Sequence, residues 1–308
     1  MTGVLTGFGV VGSIIALGYL AARFDILGSG AEPVLARLAF NFGTPALMFS
    51  LLAQSRVADV FSPTLFVIVV SSLSTILIFG VFAIFLRWGT VRGIIGSLSS
   101  GYVNAGNLGI PVALYVLGEV TAIAPVMLFQ LIVLAPIALS ILDVATGEPA
   151  SVGSKLIRPL KNPIMIAALS GLAVSISGLT IPEPVLQPFI LLGQATVPVM
   201  LIGFGMGLYG IRGRTDDADR APIVLAVALK SFLQPVIALG AGLALGLSGG
   251  SLLAAVLCSS LPTAQNIYVY ASRYVGATSM ARQIVLITTI TTIPVLLLLT
   301  SLVPALWP

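Results

Sequence analysis

The sequence predicts an all-α polytopic membrane protein whose ten transmembrane helices form two inverted repeats of five helices. Three observations support this fold class. Of the 308 residues, 58% are hydrophobic and 8% are charged, and the mean hydropathy is +1.14, a composition that leaves too few charges to cover a water-soluble domain. The basic residues collect in alternate loops, and the two halves of the chain align with each other.

Ten apolar stretches are each long enough to cross the hydrocarbon core, which takes roughly 20 helical residues. The first has no basic residues before it and Arg23 after it, so we expect it to stay as a span and not to be removed as a signal peptide. The predicted spans are residues 4–22, 33–54, 63–86, 93–117, 120–142, 162–180, 183–209, 221–245, 250–275 and 283–306.

The basic residues predict the orientation of these spans. Ten spans place twelve of the fourteen on one side: Arg23, Arg37, Arg87, Arg92, Lys155, Arg158, Lys161, Arg212, Arg214, Arg220, Arg273 and Arg282. Arg56 lies on the other side, and Lys230 lies inside a span. Because cytoplasmic loops are enriched in Lys and Arg, we expect a multi-pass protein of the cytoplasmic (inner or plasma) membrane with both termini outside the cytoplasm. The net charge of +4 then reports topology, and no nucleic-acid partner is expected.

The two halves of the chain resemble each other at a nearly constant offset. Residues 104–118 fall on residues 262–276 at an offset of 158, while "ALGYLA" (16–21) matches "ALSGLA" (168–173) at 152 and "TPALM" (44–48) matches "VPVML" (197–201) at 153. Five spans per copy is an odd number, so the copies must insert in opposite directions. The predicted repeats are residues 1–150 and 151–308.

Two spans contain residues that interrupt a helix. They are "NAGNLGIP" (104–111) in span four and "PTAQN" (262–266) in span nine, at equivalent positions of the two copies. Hydrocarbon does not tolerate unpaired backbone groups, so we expect both breaks to face protein or a cavity and to cross near the midplane. Half-helix ends and neutral polar side chains there would bind an anion. The candidate residues are Asn104, Asn107, Pro262, Thr263, Gln265 and Asn266. The alternative is that the amides only join helices.

Lys230 is a further candidate, because it lies ten residues after Arg220, about 15 Å along a helix and near mid-bilayer. It could meet a substrate carboxylate, carry a proton, cap the broken helix of span nine or reach toward the interface. Weaker candidates are the polar side chains near prolines or in mid-span: Asn41, Gln130, Gln194, Gln234 and Tyr268.

Several kinds of chemistry lack their usual residues. The chain has no histidine and one cysteine, Cys258, so neither a metal site, a cofactor nor a disulfide is expected. No phosphate-binding loop for ATP is present, and no carboxylate falls well inside a span. We therefore expect a protein that is not an enzyme and whose transport is not driven by ATP.

The segments "NAGNLGIPVALYVLG" (104–118) and "LPTAQNIYVYASRYVG" (261–276) resemble the signatures of the auxin efflux carrier family. Its bacterial members include malate and malonate permeases, and its plant members are the PIN-formed auxin exporters. The resemblance implies an elevator mechanism, with spans 1, 2, 6 and 7 as a homodimeric scaffold and spans 3–5 and 8–10 as the transport domain. It makes Asn104 and Pro262 the crossing residues. Val103 stands where plant members have proline, so the first break must rely on Gly106, Gly109 and Pro111.

The function expected from the sequence is secondary transport of small organic carboxylate anions across the lipid bilayer by an elevator-type alternating-access mechanism. Two alternatives remain at this point. One is a sodium-coupled organic-anion symporter of the bile-acid-transporter type, although such proteins use carboxylates at their sodium sites. The other is an anion channel, which would show a single-channel conductance where a carrier shows saturable uptake with counterflow.

Overall fold

The computed structural model describes residues 2–28, 30–55, 62–118, 122–146, 162–209, 219–272 and 277–306. Over these residues the chain is almost entirely helical and contains no strand longer than an isolated bridge, which confirms the predicted all-helical class for this part of the chain. Seven of the basic residues used to predict topology lie outside the described residues: Arg56, Lys155, Arg158, Lys161, Arg212, Arg214 and Arg273.

Twelve helices, numbered in chain order, make up the described part of the chain. They are α1 (Thr2–Arg23), α2 (Ala31–Gln54), α3 (Pro63–Phe85), α4 (Thr90–Gly101), α5 (Ala105–Leu117), α6 (residues 123–146), α7 (Pro163–Ser177), α8 (Glu183–Tyr209), α9 (Arg220–Ala244), α10 (Gly249–Ser259), α11 (Asn266–Ser272) and α12 (Thr278–Leu306).

Six of these helices are long and apolar enough to cross a membrane by length and composition. The segments that meet this condition among the described residues are Ala31–Gln54, Pro63–Phe85, Ile123–Leu142, Glu183–Tyr209, Arg220–Ala244 and Thr278–Leu299. Shorter apolar helices are Gly9–Arg23, Ala105–Leu117, Pro163–Ser177 and Gly249–Ser259. The chain is therefore a multi-pass membrane protein.

The described helices contain five π-turns, and four of them end two residues before a proline; the fifth, Ala113–Leu117, closes α5 with no proline after it. A proline inside a helix has no N–H to donate, and its ring displaces the carbonyl four residues earlier. The turn before it widens so that carbonyls reach donors five residues on. The four π-turns that precede a proline are Ala39–Gly43, Ala105–Gly109, Gln130–Leu134 and Leu229–Leu233, and the prolines are Pro45, Pro111, Pro136 and Pro235.

The described residues group into two compact units. Unit 1 comprises Met1–Ser62, Gly106–Leu128 and Ile157–Arg212, and so contains α1, α2, α7 and α8 with most of α5 and the start of α6. Its helices approach closely at glycines. A Cβ on Gly18 would collide with the carbonyl of Ile202, and a Cβ on Gly171 would lie 2.7 Å from the carbonyl oxygen of Phe49. These small residues let the backbones of α1 and α8, and of α2 and α7, pack in direct contact.

Unit 2 comprises Pro63–Ala105, Phe129–Leu156 and Gly213–Pro308, and so contains α3, α4, most of α6 and α9–α12. Its core includes the fully buried side chains of Phe79, Ile95 and Ile284. Helix α4 turns a row of glycines and serines toward α3, and a Cβ on Gly101 would lie 2.5 Å from the carbonyl oxygen of Ser72. The serines of α4 are therefore buried where the backbones of α3 and α4 lie in close contact.

Candidate functional site

The candidate site lies in unit 2, where the chain leaves its helices at two places and the extended segments pair. Helix α4 ends at Gly101 and α10 ends at Ser259. Between these ends and the helices that follow, Val103 and Thr263 form an isolated antiparallel bridge. The broken part of predicted span four thus lies directly beside the broken part of predicted span nine.

Two backbone hydrogen bonds hold this crossing together. The N–H of Asn104 donates to the carbonyl oxygen of Pro262 at 2.8 Å, and the N–H of Ala264 donates to that of Tyr102 at 3.1 Å. An antiparallel pair of ordinary residues at Asn104 and Pro262 would exchange two such bonds. Because proline has no N–H, the return bond cannot form. The Asn104–Pro262 pair, which flanks the Val103–Thr263 bridge, is therefore joined in one direction only.

The other backbone groups of the second break find partners on neighbouring helices. The fully buried Thr263 donates its hydroxyl to the carbonyl oxygen of Ser99 in α4 at 2.6 Å, and its N–H donates to the hydroxyl of Thr288 in α12 at 3.1 Å. The hydroxyl of Thr292 donates to the carbonyl oxygen of Ser260 at 3.4 Å. These bonds satisfy the backbone where no helix can do so, which the apolar surroundings require.

The threonines of α12 were not among the predicted site residues. The sequence does carry a signal for them, because "TTITT" (288–292) places four hydroxyls in the middle of the last apolar stretch. Nothing in that run shows which backbone groups the hydroxyls would meet, since the partners are about 25 to 30 residues away in the chain.

The crossing divides into buried and accessible side chains. Asn104, Pro262 and Thr263 are buried, whereas Gln265 is partly exposed and Asn266 is exposed. Tyr268, at 41% exposure, follows on α11. Exposed neutral amides beside backbone held in extended form suit the recognition of a carboxylate because amide N–H groups donate to its oxygens.

Tyrosines lie next to these amides. The ring of buried Tyr102 meets that of Tyr270 edge to face, with centroids 6.4 Å apart. The Tyr102 hydroxyl lies within hydrogen-bonding reach of both Tyr270 and Asn266. Tyr102 therefore links the first broken segment to the accessible amide at the start of α11, a role that the sequence did not indicate.

Lys230 belongs to the same unit and is fully buried within the π-turn of α9. Its ammonium donates to the amide oxygen of Gln234 at 2.6 Å and to the carbonyl oxygen of Ser259 at 3.2 Å. Gln234 in turn donates to the hydroxyl of Ser72 at 3.0 Å. Ser259 is the last residue of α10, so the ammonium contacts the C-terminal end of the helix that leads into the crossing.

The remaining candidates lie elsewhere. Asn41, Asn107 and Gln194 belong to unit 1, where Asn41 and Gln194 are exposed and Asn107 is partly exposed. The Asn41 amide donates to the carbonyl oxygen of Arg37 in its own helix at 2.9 Å. Gln130 is buried in unit 2. The structure thus brings together Asn104, Pro262, Thr263, Gln265 and Asn266, with Lys230 bonded to Ser259, three residues before Pro262.

Four polar candidates share one local feature. Asn41, Asn107, Gln130 and Lys230 each lie in one of the four π-turns that precede a proline. Such turns leave helix carbonyls with altered partners and are frequent at functional sites. In each case the proline follows the polar side chain by four to six positions. Gln194 also has a proline four positions later, Pro198, but lies in a regular α-helix, so this spacing alone does not identify a π-turn.

Comparison with known proteins finds similarity to membrane transporters. The model of a family described as "Membrane transport protein" matches residues 10–151 and 149–300. The chain is 29% identical over 291 residues to a protein of Rhizobium meliloti (strain 1021) named "Putative malonate transporter", covering 90% of this chain and 88% of the relative. It is 25% identical over 275 residues to a protein of Escherichia coli (strain K12) named "Uncharacterized transporter YfdV", covering 85% of each chain.

Proposed function

This chain belongs to the membrane transport protein family, the auxin efflux carriers, and we propose that it carries small organic carboxylate anions across the cytoplasmic membrane by secondary transport. Membership confirms the resemblance read from the two signature segments. The family and the relatives support a transporter and give no indication of an enzyme. The substrate class and the mechanism are the proposed part.

The observation that carries the proposal is the crossing in unit 2. Two helices end in a mostly apolar unit so that the backbones of Asn104 and Pro262 can meet, and accessible amides follow on Gln265 and Asn266. Interrupting a helix in hydrocarbon is unfavourable because backbone groups lose their partners, and in transporters such interruptions form the substrate-binding site. Neutral donors in such a place favour an anion whose charge is spread over carboxylate oxygens. The Rhizobium relative is named for malonate, a dicarboxylate.

Contacts within each unit support the inverted repeat. Two residues related by a two-fold axis touch each other only where the axis passes between them. Asn104 and Pro262 are 158 positions apart and hydrogen-bonded. Gly43 and Thr196 are 153 positions apart, and a Cβ on Gly43 would collide with the Thr196 hydroxyl. These are the offsets at which the corresponding sequences align, so we propose ten spans, with α4/α5 and α10/α11 as the two broken ones.

The division into units supports an elevator. Helices α1, α2, α7 and α8 of unit 1 are the predicted spans 1, 2, 6 and 7, and unit 2 holds predicted spans 3 and 8–10 with parts of 4 and 5. Residues 106–128 group with unit 1, so each of spans four and five is divided between the units. We propose that unit 2 carries the substrate and that unit 1 forms the scaffold of a homodimer.

The test is a binding measurement on purified protein with radiolabelled malonate, malate, succinate and indole-acetate, with an uncharged analogue for comparison. We expect saturable binding of one carboxylate, weakened roughly tenfold or more by Asn266→Ala, because the bond from this exposed amide to a charged group is lost. Gln54→Ala is the matched control, since this exposed amide donates to the carbonyl oxygen of Ser50 in its own helix at 2.7 Å. Failure of every carboxylate to bind folded protein would overturn the proposed substrate class.

Reconstituted vesicles distinguish the mechanisms. A carrier gives saturable uptake that internal unlabelled substrate accelerates, and this is the expected result. A unitary conductance in planar bilayers would replace the carrier by a channel. Uptake that requires a sodium gradient would make the protein a sodium-coupled symporter.

A further inference from the structure

Lys230 has an unusual set of partners for a buried cation. It is fully buried, and among the residues that the structure describes the two atoms that accept its hydrogen bonds are neutral oxygens, those of Gln234 and Ser259. No carboxylate in that part of the chain bonds to it. An ammonium removed from water loses a large hydration free energy, which neutral oxygens must offset by their number and placement.

The oxygens around Lys230 are well placed to do so. The carbonyl of Ser259 closes α10 and carries the negative end of that helix dipole. The amide of Gln234 is held in orientation because its nitrogen donates to Ser72 at 3.0 Å. The hydroxyls of Ser71 and Ser259 lie 3.1 Å apart and fix the two neighbouring helices. Carbonyls at the C-terminal ends of half-helices are the groups with which membrane transporters coordinate small monovalent cations.

We propose that these oxygens form a monovalent-cation site that the ammonium of Lys230 occupies as a built-in ligand. The positive charge beside the crossing is then part of the polypeptide, and no dissociable ion is needed at this position. Removing the ammonium while leaving space should open the site to small cations from solution. This inference rests on the contacts of Lys230 and holds whatever the transported substrate is.

The equivalent position in the first half of the chain is closed. At the offset of 158, Lys230 corresponds to Ser72 and Ser259 to Gly101. There the backbones touch, since a Cβ on Gly101 would lie 2.5 Å from the carbonyl oxygen of Ser72. No room remains for a long side chain or an ion, so the proposal applies to the second copy alone.

The test measures thermal unfolding of the purified full-length protein in N-methyl-D-glucamine chloride, whose cation is too large for the site. Sodium, potassium, ammonium or methylammonium chloride replaces it at constant ionic strength. We expect the midpoint of Lys230→Ala to rise by roughly 3–5 °C with at least one small cation, saturably. The wild type should not respond, and neither should Lys230→Met, because methionine fills the space without charge.

One further variant and one alternative readout keep the result decisive. Adding Gln234→Leu to Lys230→Ala removes an oxygen of the site and should abolish the response. If Lys230→Ala does not fold in the large cation, its yield of monodisperse protein with and without ammonium chloride becomes the readout. An equal response of all three proteins to every salt, or no response of a folded or recovered Lys230→Ala to any small cation, would overturn the proposal.

Discussion

The backbone N–H of Asn104 donates to the carbonyl oxygen of Pro262 at 2.8 Å, and the two residues are separated by the same 158 positions at which the halves of the chain align. One residue of the pair can donate and the other cannot, because proline has no N–H. The crossing is therefore a short antiparallel pairing in which the Asn104–Pro262 pair has a single bond. Further hydrogen bonds come from the Ser99 carbonyl of α4 and from side chains of α9 and α12, and their contribution can be measured.

Thr263→Val should destabilise the protein while preserving side-chain shape. The substitution removes the donor to Ser99, whose carbonyl lies in the buried interior, so we expect a loss of about 1–3 kcal/mol in the free energy of unfolding. Thr263→Ser should retain most of the stability. Denaturant unfolding in detergent gives the measurement. Ser251→Ala, which removes an exposed hydroxyl bonded to Ser248, should change stability by no more than about 0.5 kcal/mol. Equal stability of Thr263→Val and wild type would contradict the role assigned to this bond.

Gly101→Ala should be poorly tolerated, because the added methyl group would lie 2.5 Å from the backbone oxygen of Ser72, which cannot swing away. We expect a cost of roughly 1–3 kcal/mol, measured by the shift in thermal midpoint. Gly240→Ala is the matched control, since the same change in α9 meets nothing within 4 Å. It should be neutral or stabilise by up to about 1 kcal/mol. Similar effects at both positions would show that α3 and α4 are not packed at backbone distance.

Gln234→Leu should lower the free energy of unfolding by about 3–5 kcal/mol, the usual cost of removing one partner from a buried charge. The substitution removes one of the two oxygens that accept hydrogen bonds from the ammonium of Lys230. Combining it with Lys230→Met replaces both polar groups by apolar ones of similar volume. The double variant should then be more stable than Gln234→Leu alone. A double-mutant cycle on unfolding free energies supplies the coupling, and strictly additive effects would argue against the contact.

Thr90 and Ser248 should face opposite sides of the membrane. Both are exposed at helix ends, beside the loops before predicted spans four and nine. In a Cys258→Ala background, which removes the single and buried native thiol, a membrane-impermeant maleimide should label Ser248→Cys on intact cells and Thr90→Cys only on inverted vesicles. Labelling of both from one side would refute the proposed number of spans between them. The reverse pattern would place both termini in the cytoplasm.

Local chemistry made part of this molecule predictable. Asn104 and Pro262 stand in the two breaks, as expected, and Pro262 interrupts its segment because proline has no N–H. Gly106, Gly109 and Pro111 lie inside helix α5, so the first break precedes these residues and does not rely on them. The four π-turns that precede a proline follow from equally local proline chemistry, whereas Pro188 and Pro198 lie in a helix without a π-turn.

Other features depend on packing between distant segments. The bond from Thr263 to Ser99 joins residues 164 positions apart, and no property of either residue alone selects the partner. From the sequence, Ser72 is related to Lys230 only as the equivalent position in the other half of the chain. In the structure Gln234 hydrogen-bonds to both residues, accepting from Lys230 and donating to Ser72. The exposure of Asn41 and Gln194 likewise depends on which helix faces are covered, which an apolar stretch with little periodicity does not reveal.

The difference between Lys230 and Ser72 has an energetic consequence for a transporter built from two inverted copies. In such a protein the inward-open and outward-open states exchange the conformations adopted by the two copies, and identical copies would make the states equal in free energy. In the proposed carrier, a charged lysine in one copy and a small hydroxyl in the other contribute to a difference in free energy between these states. The empty carrier would then favour one side of the membrane, and a residue that contributes to this preference lies outside the pair that forms the crossing.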